Sequence, residues 1–189
     1  LGVDLRDAIA RNEFHIAYQP IVNMRDGRIV RAEALLRWDH PNHGPISPAL
    51  FIPIAESVGL IQQIGDWVFK QAALQAHSWR KNVLGEFVVS INRSPLEFGQ
   101  EQGETTSCIE VLAELSVPPA AVSVEITEST LLLASERVAK NLQDLRQGGV
   151  TIALDDFGTG YSSLSRLHRV DLDMLKIDRS SVCELRRDS

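Results

Sequence analysis

The chain has 189 residues, 44% hydrophobic and 23% charged, with a formal net charge of −6. That balance supports one sizeable globular core and excludes both a disordered chain and a general binder of nucleic-acid backbone, which would carry a basic stripe. No apolar run approaches the ~20 residues of a membrane span, no signal pattern opens the chain, and Cys108 and Cys183 lack metal-ligand spacing, so a reducing, cytoplasmic setting is expected.

Residues 1–12 place Leu5, Ala8 and Ile9 among charges and read as a lead-in helix or linker ahead of a domain spanning residues 13–189. Phe14 to Val22 reads as a strand, Asp26-Gly27 as a hairpin turn, and Arg28 to Leu36 as the antiparallel partner. His40 to Pro45 reads as a loop, and Ser47-Pro48 as an N-cap with proline at the first helical position. A helix then runs through Glu56. Gly59 interrupts it, and Leu60, Ile61, Ile64, Val68, Ala72 and Trp79 mark a longer amphipathic helix.

From Phe87 onward, short apolar strands alternate with helical segments, the pattern of parallel βα architecture. Phe87 to Asn92 is the first such strand, and Ser94-Pro95-Leu96-Glu97 has the residues of a capping box. Gln100 to Gly103 is a polar loop, Thr106 to Leu115 a helix stopped by Pro118-Pro119, and Val122 to Thr127 a strand. Ser135 to Gln147 is a helix closed by Gly148-Gly149. The strand Val150 to Leu154 runs into Asp155 and Asp156. Ser162 to His168 reads as helix, Met174 to Asp178 as a strand, and Arg179 to Ser189 as the start of a further helix.

Side chains alternate along a strand, so each strand splits by parity into two faces. One face is apolar, as with Val89 and Ile91, Val124 and Ile126, Ile152 and Leu154, or Leu175 and Ile177. The other carries Glu33, Asn92, Glu125, Asp155 and Lys176, about one per strand, as the interior of a barrel does near its catalytic rim. Carboxylates and an amide, with neither His nor Cys, form a hard oxygen set suited to Mg²⁺ or Mn²⁺ and not to zinc. The adjacent Asp155 and Asp156 repel unless protonated or bridged by a cation. A carboxylate bridging two such ions beside a lysine suits in-line attack of water on a phosphodiester. Taken singly, each residue also fits a strand-end polar group satisfied by loop amides. His15, His40, His43, His77 and His168 have no ligand spacing and read as surface or loop residues. Trp67 and Trp79 read as helix core or interface, Trp38 as packing under a loop, Tyr161 as a loop anchor and Arg186-Arg187-Asp188 as a solvated helix end.

Several stretches together resemble the EAL domain, the bacterial cyclic-di-GMP phosphodiesterase family. These are Y-Q-P-I at Tyr18 to Ile21, E-A-L at Glu33 to Leu35, F-I-P-I-A-E at Phe51 to Glu56, I-N-R-S-P at Ile91 to Pro95, V-E-I-T-E-S at Val124 to Ser129, D-D-F-G-T-G-Y-S-S-L at Asp155 to Leu164 and L-K-I-D at Leu175 to Asp178. The resemblance implies an α/β fold, a TIM-type (β/α) barrel whose first strand is antiparallel. Such a barrel takes ~250 residues, so the chain is expected to lack the last two strand-helix units, which in the family bring a Glu and a Gln to the site.

The resemblance further implies that Glu33, Asn92, Glu125 and Asp155 bind a first metal ion, that Asp155 and Asp156 serve a second, and that Lys176 holds the attacking water or the phosphate. Glu128 would steady the Asp156 loop, which in the family also shapes a homodimer contact. Gln19, Arg37 and Asp178 would contact cyclic di-GMP, and the product would be the linear dinucleotide. A linked N-terminal sensor or GGDEF domain is compatible with this reading. The alternative is a catalytically inactive module of the same fold that binds cyclic di-GMP or a protein partner.

Overall fold

A computed structural model of the chain describes residues 1–98, 107–128, 130, 135–158 and 171–183. The expected loop at Gln100 to Gly103, the helix at Ser162 to His168, Gly160, Tyr161 and the tail Arg186-Arg187-Asp188 lie outside the described residues. After a short helix α1 (Gly2–Ala8), which buries Leu5 and Ala8, an antiparallel hairpin opens the sheet. Its strands β1 (Phe14–Val22) and β2 (Ile29–His40) pair in a register that sets Gln19 against Glu33 and His15 against Arg37. The turn between them is closed by Gly27 at φ 71°, a left-handed conformation that glycine adopts without steric cost.

The hairpin was expected to stop at Leu36, with a loop after it. Instead β2 continues to His40, and Gly44–Ile46 folds back on it as β3. The continuation carries Trp38 into the core, where its indole Nε1 donates to Glu13 Oε2 at 2.9 Å, and carries His40 to a buried position beside His43. His40 therefore departs from the surface or loop role expected for the histidines.

Two helices follow, α2 (Pro48–Ser57) and α3 (Ile61–Trp79). Proline stands at the start of α2, where its missing N–H costs nothing. The buried residues of α3, among them Ile61, Ile64, Val68, Phe69, Ala72 and Ala76, recur three and four apart and form one apolar stripe against the sheet. A π-helical turn (Arg80–Leu84) leads into the parallel strands β4 (Val88–Asn92), β5 (Val122–Thr127), β6 (Thr151–Phe157) and β7 (Met174–Ile177). Between them lie a 3-10 turn (Pro95–Phe98), α4 (Cys108–Glu114), a second 3-10 turn (Pro119–Ala121) and α5 (Glu136–Gln147); α6 (Arg179–Cys183) follows β7. The expected bonds form at Ser94 and Glu97, where Ser94 N donates to Glu97 Oε1 at 2.7 Å and Leu96 N to Ser94 Oγ at 3.3 Å, and a further capping box forms at Ser107 and Glu110 of α4, where Ser107 N donates to Glu110 Oε2 at 2.9 Å.

Strand order is β1-β2-β4-β5-β6-β7, with β3 beside β2, and every pairing from β2 to β4 onward is parallel. The fold is thus a mixed α/β parallel sheet with an antiparallel first strand. Val89, Ile91, Val122, Val124, Ile126, Ile152 and Leu154 are fully buried, as expected of strands flanked on both faces. The expected apolar face of β7 differs: among the described residues Leu175 and Ile177 are 42% and 61% exposed.

Candidate active site

The parallel register sets Asn92 beside Glu125, Glu33 beside Ser90, and Thr127 beside Asp155. These pairings bring the polar parity face of four strands to one end of the sheet. Asn92 Nδ2 donates to Glu33 Oε1 at 2.7 Å. Lys176, rising from β7, places its Nζ 3.0 Å from Glu33 Oε2, 2.5 Å from Glu125 Oε2 and 2.8 Å from Asp155 Oδ2. One oxygen of each of these three acids lies within 4.8 Å of the others. The five residues that parity selected are therefore assembled as one cluster.

The electrostatics follow from that arrangement. Burial alone would lower the Lys176 pKa, but hydrogen bonds to Asp155, Glu125 and Glu33 outweigh it and hold the ammonium well above its ordinary range. Glu125, whose side chain is fully buried, is pushed up by that burial against the pull of Lys176. The two directions are compatible, because Lys176 answers to three acids while Glu125 also feels the charges of Glu33 and Asp155.

Strict alternation would send Asp155 and Asp156 to opposite faces. The pairing of β6 with β7 shifts register between Leu154 and Phe157, so that both acids stand opposite the single residue Lys176. This is a β-bulge, with Asp156 at φ 55°, a left-handed conformation uncommon outside glycine. Asp156 N donates to Asp155 Oδ1 at 2.9 Å. The Asp156 carboxyl is raised by burial and by the charges of Asp155 and Asp178, with Glu33 adding a smaller push. Both acids thus belong to one electrostatic neighbourhood.

Other residues singled out by sequence lie around this cluster. Gln19, opposite Glu33, shares its face and is exposed. Arg37, also on that face, donates from Nη1 to the Leu36 carbonyl at 2.9 Å. Asp178 Oδ1 accepts from Ser180 N at 2.8 Å and from the Ser180 hydroxyl. Glu128, partly buried, directly follows β5. A separate groove opens at the amino ends of the strands, lined by side chains of both charges, among them Arg31, Lys140, Arg146, Asp171 and Asp173.

A family model of the EAL domain matches residues 3–189. The chain belongs to the EAL domain family. Among EAL relatives, it is 41% identical over 186 residues to the bifunctional diguanylate cyclase/cyclic di-GMP phosphodiesterase MucR of Pseudomonas aeruginosa, covering 98% of this chain and 27% of MucR. It is 37% identical over 182 residues to the oxygen sensor protein DosP of Escherichia coli, covering 96% of this chain and 23% of DosP. The chain spans roughly a quarter of the length of most of these curated relatives and 58% of two mycobacterial ones. In structure it superposes on the MucR phosphodiesterase in complex with c-di-GMP with a TM-score of 0.88 at 41% identity, covering 98% of this chain and 75% of that one. The EAL enzyme Bd1971, in its cAMP- and cyclic-di-GMP-bound form, gives 0.86 at 32% identity, covering 97% and 50%. Among the described residues of this EAL domain, no helix is long and apolar enough to cross a membrane.

Proposed function

We propose that this EAL domain is a metal-dependent phosphodiesterase that hydrolyses cyclic di-GMP to the linear dinucleotide in bacterial second-messenger signalling. The observation that carries the reading is the convergence of Glu33, Glu125 and Asp155 on one point at the carboxyl ends of parallel strands. The donor set fits a hard divalent cation such as Mg²⁺ or Mn²⁺, because every ligand atom on offer is oxygen. That point already accommodates a positive charge, the Lys176 ammonium, in contact with all three acids.

In this reading Glu33, Asn92, Glu125 and Asp155 would hold one ion, and Asp155 and Asp156 would serve a second. Bound ions of this kind polarise a phosphoryl oxygen and bring water towards deprotonation at neutral pH. The protein's own part is orientation. Glu33 is held by the Asn92 amide, so its second oxygen is aimed inward. Lys176, displaced from the acids, donates to the attacking water or to a phosphate oxygen. Arg37 offers charge-assisted hydrogen bonds to phosphate, with Gln19 and Asp178 beside the dinucleotide. Glu128 steadies the loop after Asp156, and a homodimer forms across that loop. The similarity to the MucR phosphodiesterase complex supports the choice of substrate.

The test is turnover of cyclic di-GMP by the intact protein with Mg²⁺ or Mn²⁺, followed by separation of the cyclic and linear dinucleotides. Metal-dependent appearance of the linear product supports the reading. Binding of cyclic di-GMP without any linear product would leave a sensing module in its place.

A further inference from the structure

Arg93 follows Asn92, and alternation turns it away from the acids into the layer between the sheet and α3. A guanidinium there is unexpected, since apolar side chains fill that layer elsewhere. It is 5% exposed, with Nε 2.9 Å from Glu97 Oε2, Nη2 3.6 Å from Asp66 Oδ1, and its carbon 5.9 Å from the centre of the Phe69 ring. Glu97, only 2% exposed, uses its other oxygen to accept from Ser94 N at 2.7 Å, and Ser94 Oγ donates to Glu56 Oε1 at 2.7 Å. Gly65 of α3 leaves room for this carboxylate, for a methyl group there would overlap it. Arg93 N also donates to the Glu125 carbonyl at 3.0 Å, which ties the turn after β4 to β5.

A buried ion pair is a weak source of stability compared with apolar residues of the same size. What it does supply is placement: Glu97 and Asp66 draw the guanidinium to one spot by charge, although Arg93 Nε and Nη1 and Glu97 Oε2 make no aligned hydrogen bond, and this biases the backbone that carries it. The backbone in question is that of Asn92, whose amide meets Glu33.

We propose that Arg93, ion-paired with Glu97 and Asp66, is a positioning residue that holds Asn92 against Glu33 and thereby sets the divalent-cation affinity of the site. The inference rests on the metal reading above. Its test is Mn²⁺ binding to the intact protein, measured by the paramagnetic resonance of free Mn²⁺ at a temperature well below unfolding, alongside thermal melts. The double variant R93M/E97L removes both buried charges together, leaving the half-exposed Asp66 to water and Ser94 N without its side-chain acceptor. It is expected to melt cooperatively near the parent yet bind Mn²⁺ about 10–100-fold more weakly, the range for groups that orient metal ligands. Adding N92A should cost little more, because two residues acting through one contact are not additive. Should R93M/E97L fail to fold, R93K keeps the charge without the fork and is expected to bind about 3–10-fold more weakly.

Affinity in a folded R93M/E97L, or in R93K, equal to that of the parent overturns the inference alone. So does full additivity with N92A. A parent that binds no Mn²⁺ overturns the metal reading, and this inference with it.

Discussion

Replacing Lys176 with methionine keeps the length of the side chain and removes a positive charge that touches Glu33, Glu125 and Asp155 together. At an effective dielectric of about 20, an ion pair at 2.8 Å is worth roughly 6 kcal/mol and two carboxylates at 4.8 Å repel by roughly 3.5 kcal/mol. Desolvation cancels much of the attraction, and a carboxyl left without its partner takes up a proton. The net loss is therefore that of stripping the partner from a buried charge, about 3–5 kcal/mol. For a domain of this size that corresponds to a melting point lower by about 6 to 20 °C. The assay is thermal unfolding followed by circular dichroism, first in EDTA and then in excess Mg²⁺, with parent and K176M side by side. The drop is expected in EDTA, and Mg²⁺ is expected to raise the melting point of K176M by more than that of the parent, because the ion takes over the neutralisation. A K176M protein that melts within about 2 °C of the parent in EDTA would refute the account, since the acids would then be shown to need no cation.

Glu33→Ala removes a ligand and the acceptor of the Asn92 amide, so metal-dependent turnover should fall at least ~100-fold while far-ultraviolet circular dichroism is unchanged. Unaltered turnover refutes the ligand role. Gly65→Ala places a methyl group on the Glu97 carboxylate and should cost about 1–3 kcal/mol in denaturant unfolding; a neutral result would show that Glu97 has space to move. Burial pushes the Glu97 carboxyl up to about 7 against the opposing pull of the Arg93 guanidinium, so the Arg93–Glu97 contact is a full ion pair above that pH and a cation beside a neutral carboxyl below it. The folded state therefore holds that proton more tightly than the unfolded chain. The stabilisation is full below the ordinary carboxylate range and lost as pH rises through 7. The stability of the parent relative to E97Q should accordingly fall by about 3 kcal/mol from pH 4.5 to 7.5, and a difference flat in pH would show that Glu97 is ionised throughout.

The residues of the cluster were legible in the sequence because strand parity is rigid: Glu33, Glu125, Asp155 and Lys176 had to share a face once their strands ran parallel. What alternation does not report is a break in itself. The bulge that turns Asp156 back beside Asp155 depends on one residue at positive φ, and aspartate gives a weaker warning of that than glycine. The extension of β2 to His40 does not show in the sequence because His40 to Pro45 is rich in loop-forming residues, whereas the pairing with β3 brings the buried Trp38 and Ile46 together. Ser94 and Glu97 were noticed, but as a capping box. Its reciprocal bonds are present, Ser94 N to Glu97 Oε1 and Leu96 N to Ser94 Oγ, while the other carboxylate oxygen lies beside Arg93 in a place that local pattern does not reveal.

The antiparallel β1 has a consequence for how the chain is wired. In an all-parallel barrel the polypeptide enters the first strand from the floor, far from the chemistry. Here Phe14 lies opposite Trp38, past Glu33 towards the carboxyl end of β2, and Asp4 of α1 lies 3.5 Å from His40 at that same end. The polypeptide therefore arrives on the carboxyl side of the acids and runs down past them, reaching the level of Glu33 at Gln19. A movement of α1 relative to the sheet has only the hairpin to cross before it reaches Gln19 and Glu33.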